Sequence, residues 1–151
     1  MSMNSSASCA PRGCLARADT WHGRWLTVQA IGWLCLARGL IALAPLRLWR
    51  GRLGLVDIGA APPALEIAAQ LARHVERAAA RMPFDSKCLP RAMALSWMLR
   101  RRGIGHGVIF AIRPPSLRGE PDSLHAWVEV AGQRMIGDLP GPWIVTLRLE
   151  G

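Results

Sequence analysis

The sequence predicts an α+β domain, with N-terminal helices packed on a small antiparallel sheet. Three observations carry this. Between Pro63 and Met82 apolar residues recur every three or four positions. After Gly103 the apolar period drops to two. Between two of the alternating runs stands Ala131-Gly132, placed as a two-residue hairpin turn would be. The chain has 151 residues, the size of one domain, and 51% of them are hydrophobic, enough for a core.

Residues 1–20 are rich in Ser, Ala and Arg with no clear period and read as disordered. Residues 21–62 read as a helical extension and a connection. The apolar run Trp25–Ala37 is interrupted by Arg38, and Leu40–Leu46 resumes it with Pro45 near its end. A membrane-spanning helix needs about 20 consecutive apolar residues. This stretch therefore reads as a soluble helix or helix pair, with interfacial membrane contact and a cleaved signal as the alternatives. Gly51–Pro63 holds three Gly and two Pro and reads as the connection.

Residues 63–151 read as the core of the domain. On the Pro63–Met82 helix, Leu65, Ala68, Ala72, Val75, Ala79 and Met82 share one face, while Glu66, Gln70, Arg73 and Arg77 form the opposite stripe. Pro83 suits its end. Cys88–Arg102 reads as a second helix, closed by Gly103 and apolar on nearly every side, so it belongs in the interior. Ser86 or Asp85 is placed to cap its start. Pro90 is tolerated because it falls in the first turn. Val108–Ile112, Leu124–Val130, Arg134–Leu139 and Ile144–Leu149 read as strands, with a polar loop over Pro114–Ser123. In the second strand Leu124, Ala126, Val128 and Val130 share one face, and His125, Trp127 and Glu129 the other.

The formal charge is +9, and of the 19 basic residues only Lys87 is a lysine. A coding bias towards Arg, Ala, Gly and Leu accounts for part of this. The remainder suits an acidic partner: a peptide, a nucleic acid or a membrane surface. Nucleic acid is a poor fit, because the chain has no Tyr and two Phe, and its Trp residues form no recognisable binding motif. The four cysteines, Cys9, Cys14, Cys35 and Cys88, match no zinc spacing, and no metal site is expected. They are too sparse for a disulfide scaffold, so a reducing, cytoplasmic setting is expected, with membrane association as the alternative.

Cys88 falls at the start of the buried helix, where unpaired N–H groups and the helix dipole favour a thiolate. Such a thiolate suits covalent catalysis, although a free Cys is more often a small buried hydrophobe. If Ala131-Gly132 is the turn, Val130 pairs with Gln133, and the ladder then sets His125 opposite Asp138, Cβ atoms about 5 Å apart. Asp138 would then orient the imidazole and stabilise its charged form. A turn at Gly132-Gln133 would instead pair His125 with Pro140 and leave Asp138 a diagonal neighbour.

Nucleophile on a helix, His on a strand and Asp on the next strand is the papain and transglutaminase order. The segments Lys87-Cys88-Leu89-Pro90-Arg91-Ala92, Leu99-Arg100-Arg101-Arg102-Gly103-Ile104 and His125-Ala126-Trp127-Val128-Glu129-Val130, with Gly132 and Asp138, resemble the transglutaminase-like core of the lasso-peptide leader peptidases. The resemblance covers about residues 64–151. It implies a papain/transglutaminase-like fold and a cysteine peptidase that removes the leader from a ribosomally made precursor peptide. Cys88 would be the nucleophile, His125 the base and acid, and Asp138 the orienting residue, with no cofactor in this chain. It also implies an asparagine-synthetase-like cyclase partner that uses ATP. No β-hairpin pattern precedes the core, so the leader-recognition protein is expected as a separate chain.

Trp127 and Glu129, beside the proposed site, are candidates for substrate contact; core packing and a solvated carboxylate are the plain alternatives. Arg100, Arg101 and Arg102 are candidates for binding an acidic leader or a partner protein, against the plain reading of a solvated helix end. His106, between two glycines, reads as a loop residue. His22 and His74 show no metal spacing. Cys35 reads as buried and inert, Cys9 and Cys14 as incidental.

Overall fold

A computed structural model describes residues 12–56, 62–117 and 124–150, without the side chains of 12–20 and 62–63. Three α-helices, α1 (Arg12–Leu43), α2 (Pro62–Ala79) and α3 (Cys88–Arg100), precede four strands. The strands are β1 (Gly107–Ile112), β2 (Leu124–Val130), β3 (Gln133–Ile136) and β4 (Ile144–Leu149). Their order in the sheet is β3-β2-β1-β4, and every neighbouring pair is antiparallel. The α+β expectation holds.

Helix α1 starts at Arg12, inside the segment read as disordered. Once the apolar run has nucleated a helix, each added residue costs little, and Ala, Leu and Arg extend it well. Residues 1–11 of that reading lie outside the described residues. The helix also runs unbroken through Arg38 and ends before Pro45, so the 21–49 segment is one long helix followed by two 3-10 turns, Leu46–Leu48 and Arg50–Arg52. Its stretch Trp21–Leu43 is long and apolar enough to cross a membrane, with a mean hydropathy of 1.6. Leu26, Ala30, Leu34 and Ala37 form its buried stripe, against α2 and α3. Trp21, Trp25, Val28, Leu36 and Leu43 lie exposed, so apolar side chains stand on both faces. Cys35 is exposed too, contrary to the buried placement expected for it.

Helix α2 buries the expected face: Ala68, Ala72, Val75 and Ala79 are in the core. His74 joins them, with Nδ1 bonded to the Thr27 hydroxyl at 2.9 Å. Helix α3 is buried from Ala92 to Leu99. Gly103 closes it in the left-handed region, φ 65°. Its N–H bonds Arg100 O, and the Ile104 N–H bonds Leu99 O, as in a Schellman motif.

Ala126, Val128 and Val130 of β2 pack with Val108 and Phe110 of β1 into the core beneath α3. The outer face of the sheet holds a small second cluster of Ile109, Ala111, Trp127 and Trp143. His106 is fully buried rather than a loop residue. Its Nδ1–H donates to Ile104 O at 2.8 Å, and its Nε2 accepts from the Ser96 hydroxyl at 2.7 Å. Its backbone pairs with Leu55 in both directions, tying the connection after α1 to the start of the sheet.

The β2–β3 hairpin turns at Ala131-Gly132, φ 48° and 75°, both positive as a type I′ turn requires. Val130 pairs with Gln133 and Glu129 with Arg134, in the expected register. The register then slips: Val128 pairs with Ile136, so β3 carries one extra residue, Met135.

Candidate active site

Cys88 is the first residue of α3, with Lys87 at the cap position and no side-chain cap. Neither Asp85 nor Ser86 fills the capping role expected of it. The Ser86 hydroxyl is buried without a partner among the described residues. The thiol is half-buried beside the start of β2, with Sγ 3.8 Å from Leu124 O. His125 is 4% exposed, lines the same cleft as Cys88, and its ring is coupled to the thiol. The structure thus brings together two residues 37 positions apart, the pair the sequence singled out.

The electrostatics of the pair favour charge separation. Burial pushes the Cys88 thiol up, but several opposing effects together hold it below its ordinary value. These are the His125 hydrogen bond, backbone hydrogen bonds with Ala126 and Leu89, and the positive ring. His125 moves the other way: the Cys88 hydrogen bond raises it, burial lowers it, and the Gly137 bond and the thiolate charge raise it. Arg134 opposes, and the net is upward. A lowered thiol facing a raised imidazole is the condition for a thiolate–imidazolium pair.

Asp138 does not hold the ring. The extra residue at Met135 moves it out of register, and its side chain is 99% exposed, 3.6 Å from Arg134. The Gly137 carbonyl takes the orienting position, accepting from His125 Nε2 at 2.7 Å. A carbonyl only accepts, so Nε2 carries a proton and Nδ1 is left for the thiol. Gly137 adopts φ 82°, and a Cβ there would lie 2.9 Å from Ala126 O and 3.4 Å from His125 Nε2. Only glycine brings this backbone so close under the ring.

Sequence reasoning missed Trp143. Its indole stacks on His125 with centroids 4.9 Å apart and interplanar angle 29°, and its Nε1 donates to Leu139 O at 3.2 Å. The Arg113 guanidinium also lies over the indole, 4.9 Å from its centroid. Trp143 sits in the segment before β4, 18 residues from His125, and no periodicity links the two.

Trp127 and Glu129 do not line the cleft. Trp127 is 3% exposed and donates from Nε1 to Glu129 Oε1 at 2.7 Å, while Arg134 lies 4.2 Å above its ring. Glu129 Oε2 pairs with Arg148 at 2.9 Å. Their alternation places them on the sheet's outer face, where they form a network behind His125. Arg100, Arg101 and Arg102 lie at the far end of α3, about 18 Å from Cys88 at 1.5 Å per residue. Each has a local contact: Arg100 with Gly54 O, Arg102 with Met98 O, and Arg101 with the Trp33 ring. Unsatisfied carbonyls at a helix C-terminus attract such cations.

A cleft of about 1600 Å³ opens over the pair. The outer stripe of α2, residues 85–88, Arg91 and residues 134–139 line it. Among the described residues, no three His, Cys, Asp or Glu side chains are grouped to hold a metal. A nucleophile with a paired base at the head of such a cleft can carry out acyl transfer.

Comparison with known proteins agrees with this chemistry. A family model described as the transglutaminase-like superfamily matches residues 32–143, well over half of the chain. No curated protein and no solved structure matches.

Proposed function

The chain belongs to the transglutaminase-like superfamily, and from that premise we propose that it is a cysteine peptidase that removes the leader from a lasso-peptide precursor. The observation that carries the reading is that Cys88 and His125 line one cleft of about 1600 Å³ with their charge states coupled. The thiolate adds to the scissile carbonyl, and the oxygen takes the displaced electron pair near the N–H groups at the start of α3. Collapse expels the amine, which takes the His125 proton, and leaves a thioester. Water, losing a proton to His125, then attacks the thioester and releases the thiolate.

The resemblance of the Cys-Leu, Leu-Arg-Arg-Arg-Gly and His-Ala-Trp-Val-Glu segments supports the finer assignment. With it go a precursor peptide, a separate leader-recognition protein and an ATP-using cyclase as partners, and a cytoplasmic setting. The exposed apolar face of α1 favours a second element of the reading, contact with a partner protein or a membrane surface. If the chain were instead a non-catalytic scaffold, Cys88 and His125 would be dispensable.

The test is leader cleavage of the cognate precursor, followed by mass spectrometry with the recognition protein added. Wild type cleaves, and Cys88→Ala loses about a thousandfold or more. Equal cleavage by both would remove Cys88 as nucleophile.

A further inference from the structure

Three of the cleft's cationic side chains have no ion pair among the described residues: Arg73 and Arg77 of α2, and Lys87 beside the nucleophile. The cleft's other two are neutralised, Arg91 by Glu76 at 3.0 Å and Arg134 by Asp138 at 3.6 Å. Among the described residues, Asp85 is the one unpaired acid that lines the cleft with them. Arg73 and Arg77 stand one turn apart, where like charges repel and weaken a helix. Their field reaches into the protein: after burial, the positive charges of Arg77, Arg73 and His22 hold His74 below its ordinary value. The Arg100–Arg102 run, by contrast, is far from the thiol and engaged locally.

We propose that this cleft takes a peptide segment bearing carboxylate side chains, which Arg73, Arg77 and Lys87 hold beside Cys88. The proposal rests on the acyl-transfer reading of Cys88 and adds the chemical class of its substrate. A peptide of this kind supplies counter-charges that the described residues do not give Arg73, Arg77 and Lys87, and guanidinium groups bind carboxylates in a bidentate fork. Attraction within a concave cleft also raises the local concentration of an anionic segment.

The experiment measures alkylation of Cys88 in the full chain, located by peptide mapping, with iodoacetate and with iodoacetamide. His125 attracts iodoacetate equally in all variants, so the comparison isolates the arginines. In the Arg73→Gln, Arg77→Gln double variant the iodoacetate rate should fall on the order of threefold or more, while the iodoacetamide rate holds. Arg77→Lys alone should keep the wild-type ratio. A capped peptide with alternating Glu and Gly should protect Cys88 in the wild type better than its Gln analogue does. An unchanged ratio, an equal fall in both rates, or equal protection by the two peptides would overturn the proposal. Failure of the peptidase reading looks different: anion preference at Cys88 persists, yet no precursor is cleaved.

Discussion

At the residue scale, the ring of His125 is held by a main-chain oxygen rather than by a carboxylate. Asp138 is next in the chain to that oxygen but points into solvent. Exposed ion pairs such as Asp138–Arg134 contribute little. Asp138→Asn should therefore keep cleavage within about threefold of wild type, whereas His125→Ala should lose on the order of a thousandfold. Rates of the two variants on one precursor decide this; a loss for Asp138→Asn as deep as for His125→Ala would restore the carboxylate to the site. The pair also fixes the pH dependence. Cys88 must be deprotonated, so the acid limb of kcat/KM falls below the ordinary thiol range. His125 must be protonated, so the alkaline limb falls above the ordinary imidazole range. The profile is a bell, and because Arg134 lowers His125, Arg134→Gln should move the alkaline limb upward.

At the element scale, the hairpin shows what was legible in the sequence and what was not. The alternation of β2, the Ala131-Gly132 turn and the first two pairs of the ladder follow from period and turn chemistry. An unbroken ladder sets His125 opposite Asp138. The bulge at Met135 that breaks it is unmarked in the sequence, because Arg134-Met135-Ile136 carries none of the Gly or Pro signals that mark an irregular strand. Trp143 was hidden for a related reason: a contact made by a loop leaves no period to read. The helices were more legible, since the apolar face of α2 and the wholly apolar body of α3 need a core on one side and on all sides. Gly137 lies where the bulge delivers the chain beneath the imidazole. Gly137→Ala meets both the left-handed backbone and the Ala126 carbonyl. It should cost about 1–3 kcal/mol in denaturant unfolding. It should also lower kcat by more than Asp138→Asn does, and a wild-type rate in a destabilised protein would separate the backbone's role in folding from its role at the ring.

At the scale of the whole molecule, the chemistry is concentrated on one side. Cys88 heads α3 and His125 opens β2, both at the rim where α2, the hairpin and the cleft meet. The apolar and charged faces of α2 are divided between core and cleft, so one helix serves packing with one face and the cleft with the other. Helix α1 adds an exposed apolar surface. Trp21 is 71% and Trp25 62% exposed, the pattern of an interaction surface. Trp21→Ser with Trp25→Ser should raise the soluble, monomeric fraction in sedimentation while leaving Cys88 alkylation by iodoacetamide unchanged. Coupled losses of both would mean that the face supports the fold itself.

The stack of Trp143 on His125 makes the imidazole visible by light. A protonated imidazole in van der Waals contact with an indole quenches its emission, and a neutral one does so much less. Emission from Trp143, taken as the difference between the wild type and Trp143→Phe, therefore brightens as His125 loses its proton. The protonation state of the base becomes an optical signal in the resting protein, read without any substrate, and alkylating Cys88 should shift its midpoint towards that of a free histidine.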